Sequence, residues 1–307
     1  MPSLSDAATA KSRYFLMLFQ VEEDDGLGRM TAMKVTEALA TRIKTPQEET
    51  EIDVWLESPG GDAHCAYKIA ASLQEFASCL RVVIPDYAKS AATLMALAAD
   101  ELYMARTAEL GPLDAQVSHP LEKDERISAL AIAKCTEHLA DTALGIVLRG
   151  GFSVLDRTGL DRRETLTRML TFAADFTYPI AEKLDPMWMH QASALLRVAE
   201  KYGELLLAKR GALCQKDPDT VLRAFVRDYP SHGFVIDKGQ AEEIGLHVQP
   251  AEQYEYWSYV ESLYYATIKS GKSCCGLMSH EDLLRHISRE SENGDNGNGQ
   301  GAEDQNE

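Results

Sequence analysis

The segment Leu56-Glu57-Ser58-Pro59-Gly60-Gly61-Asp62 decides how the first third of this chain folds. The apolar run Ile52–Leu56 predicts a buried strand, and the pattern from about Ala63 to Ala77 predicts a helix. A proline followed by two glycines is typical of a tight turn. The segment therefore predicts a strand, a turn and a helix in that order.

The same alternation of strand and helix extends on both sides of this turn. Further strands are predicted at Phe15–Phe19, Leu80–Ile84 and Glu101–Ala105, and further helices at Thr31–Lys44 and Ser90–Ala99. Strands that alternate with helices favour a largely parallel sheet with helices packed on it. The sequence therefore predicts an α/β core.

The rest of the chain has a different organisation. From about Asp124 to Asp228 the pattern is mainly helical, with a long helix from Pro186 to Lys209. A short strand at Phe234–Ile236 and a helix at Lys238–Ile244, capped by Asp237, then resume the core pattern. We expect an α/β core at 1–123, a helical insertion at 124–228, a return to the core with C-terminal helices at 229–289, and a disordered acidic tail at 290–307.

Composition excludes several classes of function. The 307 residues carry 48 acidic and 31 basic side chains, a formal net charge of −17, which argues against binding nucleic acid or anionic membranes. No run is apolar and long enough to span a bilayer, and the six cysteines form no CxxC pairs. We therefore expect a soluble cytoplasmic protein with reduced thiols. No HExxH or GxxxxGK[ST] motif is present, so no metal, cofactor or ATPase is expected.

Ser90 is the best candidate nucleophile. It follows a predicted turn at Asp86–Lys89 and begins an alanine-rich helix, whose first N–H groups have no intrahelical acceptor. The N–H of Ala91 can then stabilise an oxyanion that forms when the Ser90 hydroxyl attacks. Glycines at Gly60 and Gly61 let further N–H groups approach a substrate without a Cβ in the way. Serine also favours helix N-caps, and the Gly60-Gly61 turn is what favours the nucleophile.

Four motifs carry a family resemblance: Leu56–Asp62 (LESPGGD), Tyr87–Thr93 (YAKSAAT), Ala98–Met104 (AADELYM) and Leu110–Asp114 (LGPLD). In this order they are similar to the Clp protease/crotonase-like superfamily, and most of all to the serine dehydrogenase proteinase family, which is signal-peptide-peptidase-like. The resemblance covers about Phe15–Gln116 and resumes at Tyr229–Val248. It implies a spiral of ββα units with a helical insertion, a nucleophile at Ser90, and an oxyanion hole from Gly60 or Gly61 with Ala91.

The base that activates Ser90 is open among three assignments. One pairs His232 with Asp114 as its orienting acid, in a chain order that differs from the usual one, which geometry permits. The second uses His119, which follows the nucleophile by a short interval. The third uses Lys134 as in signal-peptide-peptidase-like relatives, and such a lysine must lose its proton through burial.

Three functions compete. The first is a serine peptidase that cleaves peptides or unfolded segments through an acyl-enzyme at Ser90, without an ATPase of its own. The second is a crotonase-like acyl-thioester enzyme with a similar oxyanion hole, and the third is an inactive oligomeric scaffold. The resemblance implies a homo-oligomer, to whose packing the aromatic helix at Tyr254–Lys269 could contribute. A separate unfoldase or regulatory partner would have to deliver folded substrates.

Overall fold

The computed structural model describes residues 11–22, 25–118, 126–210 and 213–297. The chain divides into two compact units. The core unit comprises Met1–Leu113 and Ala199–Glu307, and the helical unit comprises Asp114–Val198. The domain boundaries drawn from the sequence stay predictions.

Strands and helices follow one another along the described residues as the sequence pattern indicates. The strands are β1 (Ser12–Phe19), β2 (Thr50–Glu57), β3 (Cys79–Ile84), β4 (Tyr87–Ala88), β5 (Glu101–Met104), β6 (Glu109–Leu110), β7 (Gln116–Ser118), β8 (Arg126–Ser128), β9 (Val248–Pro250) and β10 (Cys274–Ser279). The helices are α1 (Arg29–Arg42), α2 (Ala63–Phe76), α3 (Ala91–Ala96), α4 (Ala129–Gly145), α5 (Gly151–Thr158), α6 (Arg162–Ala181), α7 (Pro186–Lys209), α8 (Pro218–Arg223), α9 (Lys238–Ile244), α10 (Trp257–Ser270) and α11 (His280–Gly297).

A six-stranded sheet in the order β10-β1-β2-β3-β5-β9 forms the centre of the core unit. Its pairs are parallel from β1 to β9, and β10 alone joins antiparallel to β1. Parallel strands need crossover connections, and here α1, α2 and α3 supply them between successive strands. The predicted α/β fold with a largely parallel sheet is confirmed.

Both faces of this sheet are covered, which explains the nearly continuous apolar runs of its strands. Leu16, Leu18 and Leu56 are fully buried on one face. The opposite face, which alternation assigns to Phe15, Phe19 and Trp55, packs against an aromatic cluster that includes side chains of α10. Glu57 lies on this second face as well, because it is in register with Phe19.

A second, two-stranded sheet of the core unit pairs β4 with β6 in parallel. Bridges connect it on both sides: Ser58 pairs with Ala88, and Leu110 pairs with Ile236. Along the chain, strand β4 of this small sheet follows closely after β3 of the main sheet. Strand β4 then leads into Ser90. The chain order Ser58, Ala88, Leu110, Ile236 across it therefore sets what lies beside Ser90.

The helical unit is a long helical hairpin with a small β7–β8 pair. Helix α4 is capped by Ser128 and continues through a π turn at Ile146–Gly150 into α5. Gly159, with φ of +67°, ends α5, and Asp161 caps α6. Large apolar side chains stay exposed on this unit: Leu144, Leu148, Phe152, Leu166, Leu170, Phe172, Phe176, Tyr178, Ile180 and Met187.

Most predicted elements are found, and two differ. Helix α7 has the predicted bounds, and Asp237 caps α9 with a hydrogen bond from the Gln240 N–H. The strand expected at Phe234–Ile236 is reduced to a bridge between Ile236 and Leu110, because the partner strand β6 has only two residues. Helix α11 continues to Gly297, so the first eight residues of the tail expected to be disordered are helical. Among the described residues no helix combines the length and apolarity needed to cross a membrane.

Candidate active site

Ser90 occupies a sharp turn between β4 and α3. Its backbone has φ of +50° and ψ of −117°, and it is the one non-glycine residue with positive φ in the described part of the chain. Its side chain makes no capping hydrogen bond to α3. A side chain held in this uncommon conformation at a strand-to-helix turn is typical of an exposed nucleophile. Ser90 therefore occupies the N-cap position of α3 without capping the helix through its side chain.

The Gly60-Gly61 turn lies directly against Ser90. Gly60 has φ of +104°, and a Cβ placed on it would lie 2.7 Å from the Lys89 carbonyl oxygen and 3.0 Å from the Ser90 Cβ. Gly61 has φ of +138°, and a Cβ there would lie 2.6 Å from the Leu27 backbone nitrogen. Both positions need glycine for conformation and for space. The two sequence motifs are thus in contact in the folded chain.

Backbone hydrogen bonds distinguish the donors of this turn from one another. The N–H of Gly60 donates to the Ser58 Oγ at 3.1 Å. The N–H groups of Gly61 and Ala91 have no hydrogen-bond acceptor among the described residues. The sequence left Gly60 and Gly61 as equal candidates for a donor. Of these two, the structure leaves Gly61 with its N–H unengaged.

Three backbone and side-chain contacts join the glycine turn to the Ser90 turn. The N–H of Ser58 donates to the Tyr87 carbonyl at 3.1 Å, and the N–H of Lys89 donates back to the Ser58 carbonyl at 3.0 Å. The Glu57 Oε2 accepts from the N–H of Tyr87 at 2.9 Å. The end of β2 and the strand β4 therefore hold the two turns in fixed register.

Thr93 is a positioning residue that the sequence did not single out. Its buried Oγ1 lies 2.7 Å from the Ala88 carbonyl oxygen and 2.8 Å from that of Gly111, and it accepts from the Gly111 N–H at 3.1 Å. This one hydroxyl fastens the first turn of α3 to β4 and to the segment after β6. No sequence pattern marks it, because Gly111 is remote along the chain.

Lys89 is engaged beside the nucleophile. Its Nζ lies 2.6 Å from a carboxylate oxygen of Glu109 and 3.4 Å from the Leu110 carbonyl oxygen. These two contacts hold the Lys89 side chain against β6.

His232 belongs to the core unit and lies near the small sheet. It is part of a turn closed by the Phe234 N–H on the Ser231 carbonyl at 3.2 Å, and Ile236 follows with two reciprocal hydrogen bonds to Leu110. The Nδ1 of His232 is buried and has no hydrogen-bond partner among the described residues. A histidine in this state has a nitrogen ready for an acid to orient.

The remaining candidates lie in the helical unit or outside the described residues. Asp114 is buried, its Oδ1 accepts from the Leu130 N–H at 3.0 Å, and its Oδ2 has no hydrogen-bond partner in the described part of the chain. Lys134 is on α4 with its side chain exposed, whereas a lysine base needs burial. His119 lies outside the described residues. The choice of base stays a prediction.

His64 is a further histidine near the glycine turn, and the sequence analysis did not identify it as a candidate. His64 is three residues after Gly61 in the first turn of α2, and its Nδ1 lies 2.6 Å from the Tyr202 hydroxyl. Tyr202 also stacks on Tyr67, with ring centroids 4.2 Å apart. The signal was available in the position of His64 directly after the Gly-Gly-Asp turn, where a helix side chain points back toward its N-terminus.

Burial perturbs one carboxyl group at the site. Glu57 is wholly buried, which raises the pKa of its carboxyl to about 8, and the neighbouring Asp86 and Glu109 charges act in the same direction. Its Oε1 has no hydrogen-bond partner among the described residues. The same described ranges contain no group of three or more His, Cys, Asp or Glu side chains suited to a metal ion.

A family of known proteins matches part of this chain, and its ClpP-like description is consistent with the mixed α/β fold and the largely parallel sheet. Residues 27–146 match the family described as ClpP-like SDH-type serine proteinase, so the resemblance seen in the sequence is confirmed for this part of the chain. The matched range includes Gly60, Gly61 and Ser90.

Two curated relatives were found in Methanocaldococcus jannaschii. Uncharacterized protein MJ1495 is 39% identical over 82 residues, which are 27% of this chain and 28% of that protein. Uncharacterized protein MJ0137 is 38% identical over 82 residues, which are 27% of this chain and 29% of that protein. The match spans less than a third of each relative's length, and neither name assigns an activity.

Proposed function

We propose that this protein is a serine peptidase that forms an acyl-enzyme at Ser90. The observation that carries the proposal is the positive φ of Ser90 without a capping bond, directly against Gly60. In this reaction the Ser90 Oγ attacks the scissile carbonyl carbon and gives its proton to a base. The tetrahedral intermediate then expels the amine with a proton from the same base, and water hydrolyses the ester.

The oxyanion hole of this proposal consists of the N–H groups of Gly61 and Ala91. Both lack an acceptor among the described residues, while the Gly60 N–H is already used by Ser58. Two donors aimed at the developing negative charge stabilise the transition state, and loss of one such donor typically costs about 10²–10³-fold in rate. In this proposal Gly60 donates no hydrogen bond to the oxyanion. Its lack of a Cβ lets the glycine turn lie against Ser90.

For the base we propose His232, oriented by Asp114. The buried Nδ1 of His232 and the buried Oδ2 of Asp114 each lack a partner among the described residues, and these are the two atoms that join in a histidine–aspartate pair. This pairing rests on complementary chemistry, and the test below ranks it against His119 and Lys134.

Peptides or unfolded segments are the proposed substrates, and a homo-oligomer is the proposed assembly. The exposed apolar side chains of the helical unit, such as Phe152 and Phe176, offer a surface for a second copy. A mass measured in solution by light scattering tests the assembly. A monomer at micromolar concentration would refute it.

The decisive experiment is labelling with a fluorophosphonate probe. We expect labelling of the wild-type chain, its loss in Ser90→Ala, and its retention in the control Ser288→Ala, which changes an exposed serine of α11. Labelling that survives Ser90→Ala refutes the nucleophile. A folded wild-type chain that is never labelled favours the scaffold.

A second set of variants ranks the bases in the same assay. His232→Ala should slow labelling by at least about a hundredfold, in the range that a general base supplies. Asp114→Asn should slow it by a smaller factor. If His232→Ala, His119→Ala and Lys134→Ala are each labelled as fast as the wild type, all three assignments of the base are refuted.

A further inference from the structure

A cavity on the core unit runs along one face of α10, and Ser90 is not among its lining residues. It has a volume of about 230 Å³ and is bounded by the loops that follow β3 and β5. Its other wall is one face of α10, since Trp257, Glu261, Tyr264 and Tyr265 recur at helical spacing. The cavity is a concave site that the peptidase proposal does not use.

Its walls carry more carboxylates than cations. Asp86, Glu252 and Glu261 line the cavity, and none of them has a lysine or arginine nitrogen within 4.0 Å among the described residues. Asp86 accepts a hydrogen bond from the Tyr264 hydroxyl at 2.9 Å, which fixes the direction of that carboxylate. Arg106 also lines the cavity without such an ion pair to these acids, so carboxylates exceed cations there. This arrangement attracts a cation.

Aromatic rings complete the cavity. Tyr264 and Tyr265 have ring centroids 5.6 Å apart and planes inclined by 50°, and Trp257 is half-buried beside them. Tyr265 is 63% exposed although it lines a cavity, so its ring is open to a ligand. The faces of such rings attract ammonium and guanidinium groups. The volume is below that of pockets for drug-sized molecules, about 300–1,000 Å³, and fits the end of one side chain.

We propose that this cavity, lined by Asp86, Glu252, Glu261, Trp257, Tyr264 and Tyr265, binds the cationic side chain of a lysine or arginine in a polypeptide. The carboxylates supply charge and hydrogen-bond acceptors to the cationic head, while the rings cover its methylene stem. Binding here requires no Ser90 chemistry. The site therefore stands or falls separately from the peptidase.

The test uses the full chain and small probes by ligand-observed saturation-transfer NMR. N-acetyl-lysine methylamide and N-acetyl-arginine methylamide should bind with millimolar Kd, and the uncharged N-acetyl-norleucine methylamide should bind at least about fivefold more weakly. Raising NaCl from 50 to 500 mM should weaken the cationic probes several-fold, because salt screens exposed charges.

Two variants locate the binding. Glu261→Gln and, separately, Tyr265→Leu should each weaken the lysine probe at least about threefold, and the control Glu75→Gln on the exposed face of α2 should not. Ser90→Ala should bind as the wild type does, which separates this site from the catalytic one. Equal binding of the norleucine probe, or no effect of Glu261→Gln and Tyr265→Leu, overturns the proposal. If spermidine binds more tightly than both amino-acid probes and is equally sensitive to Glu261→Gln, the cavity binds a polyamine. That result overturns the proposal that its ligand is a side chain of a polypeptide.

Discussion

Replacing Glu57 by glutamine should remove a pH dependence from the stability of the core unit. Glu57 ends β2, its side chain is wholly buried, and its Oε2 accepts from the Tyr87 N–H at 2.9 Å. Burial raises the pKa of this carboxyl from 4.5 to about 8. Glutamine has the same shape, and its amide oxygen can accept the same hydrogen bond without ever becoming charged.

The sign and the size follow from proton linkage. Between pH 4.5 and about 8 the folded chain keeps a proton on Glu57 that the unfolded chain has lost, so the free energy of unfolding falls as pH rises through this range. Each pH step of one costs about 1.4 kcal/mol while this holds. From pH 5 to pH 9 the loss is therefore about 4 kcal/mol at most, and it levels off above pH 8.

Urea unfolding followed by circular dichroism at pH 5, 6, 7, 8 and 9 measures this loss. We expect the wild type to lose stability relative to Glu57→Gln as pH rises, so that the variant is the more stable protein at pH 9. The control Glu75→Gln changes an exposed carboxylate on α2 and should parallel the wild type. If the difference between wild type and Glu57→Gln stays within about 1 kcal/mol from pH 5 to 9, the assignment of a protonated buried Glu57 is refuted.

Two further substitutions test the geometry around Ser90. Gly60→Ala places a Cβ 2.7 Å from the Lys89 carbonyl oxygen at a φ of +104°, so we expect a loss of about 1–3 kcal/mol in unfolding free energy and at least tenfold slower fluorophosphonate labelling. Gly276→Ala is its control, because a Cβ there meets no atom within 4 Å; equal effects of the two would refute the contact. Thr93→Val keeps the shape of the side chain but deprives the Ala88 and Gly111 carbonyls of their hydroxyl, so we expect about 1–3 kcal/mol lower stability and slower labelling. Thr93→Ser should restore most of both, and labelling of Thr93→Val at the wild-type rate would exclude the positioning role.

The sequence predicted the sheet and the glycine turn because both depend on local patterns. The strands β1, β2 and β3 are rich in apolar residues because each strand is covered on both faces, and Pro59-Gly60-Gly61 is typical of a turn. That the glycine turn lies beside Ser90 was implied by the family resemblance, through the oxyanion hole expected from Gly60 or Gly61 with Ala91. These features needed no knowledge of distant side chains.

Other features of the site could not be predicted in this way. Strand β4 is only two residues long and is bonded to Ser58 on one side and to β6 on the other. The chain must therefore turn into α3 within Lys89 and Ser90, and Ser90 takes the positive φ. The Thr93 hydroxyl contacts Gly111, which is distant along the chain. The charged cavity on α10 is lined by Asp86, which also comes from a different part of the chain. Each of these features depends on a contact between segments that are distant along the chain. The sequence pattern of either segment alone does not indicate that contact.

The proposed orienting acid, Asp114, belongs to a different unit of the chain from Ser90 and His232. Ser90, Gly61 and Ala91, and the contacts of Thr93 and Glu57 that hold them, all lie in the core unit. Asp114 lies in the helical unit, where its Oδ1 accepts from the Leu130 N–H, and it takes part in none of those contacts. Asp114→Asn should therefore change the rate of Ser90 labelling and its pH profile while the stability of the core unit stays at the wild-type value. A fall in core stability equal to the fall in labelling would mean that Asp114 acts on the fold and does not orient a base.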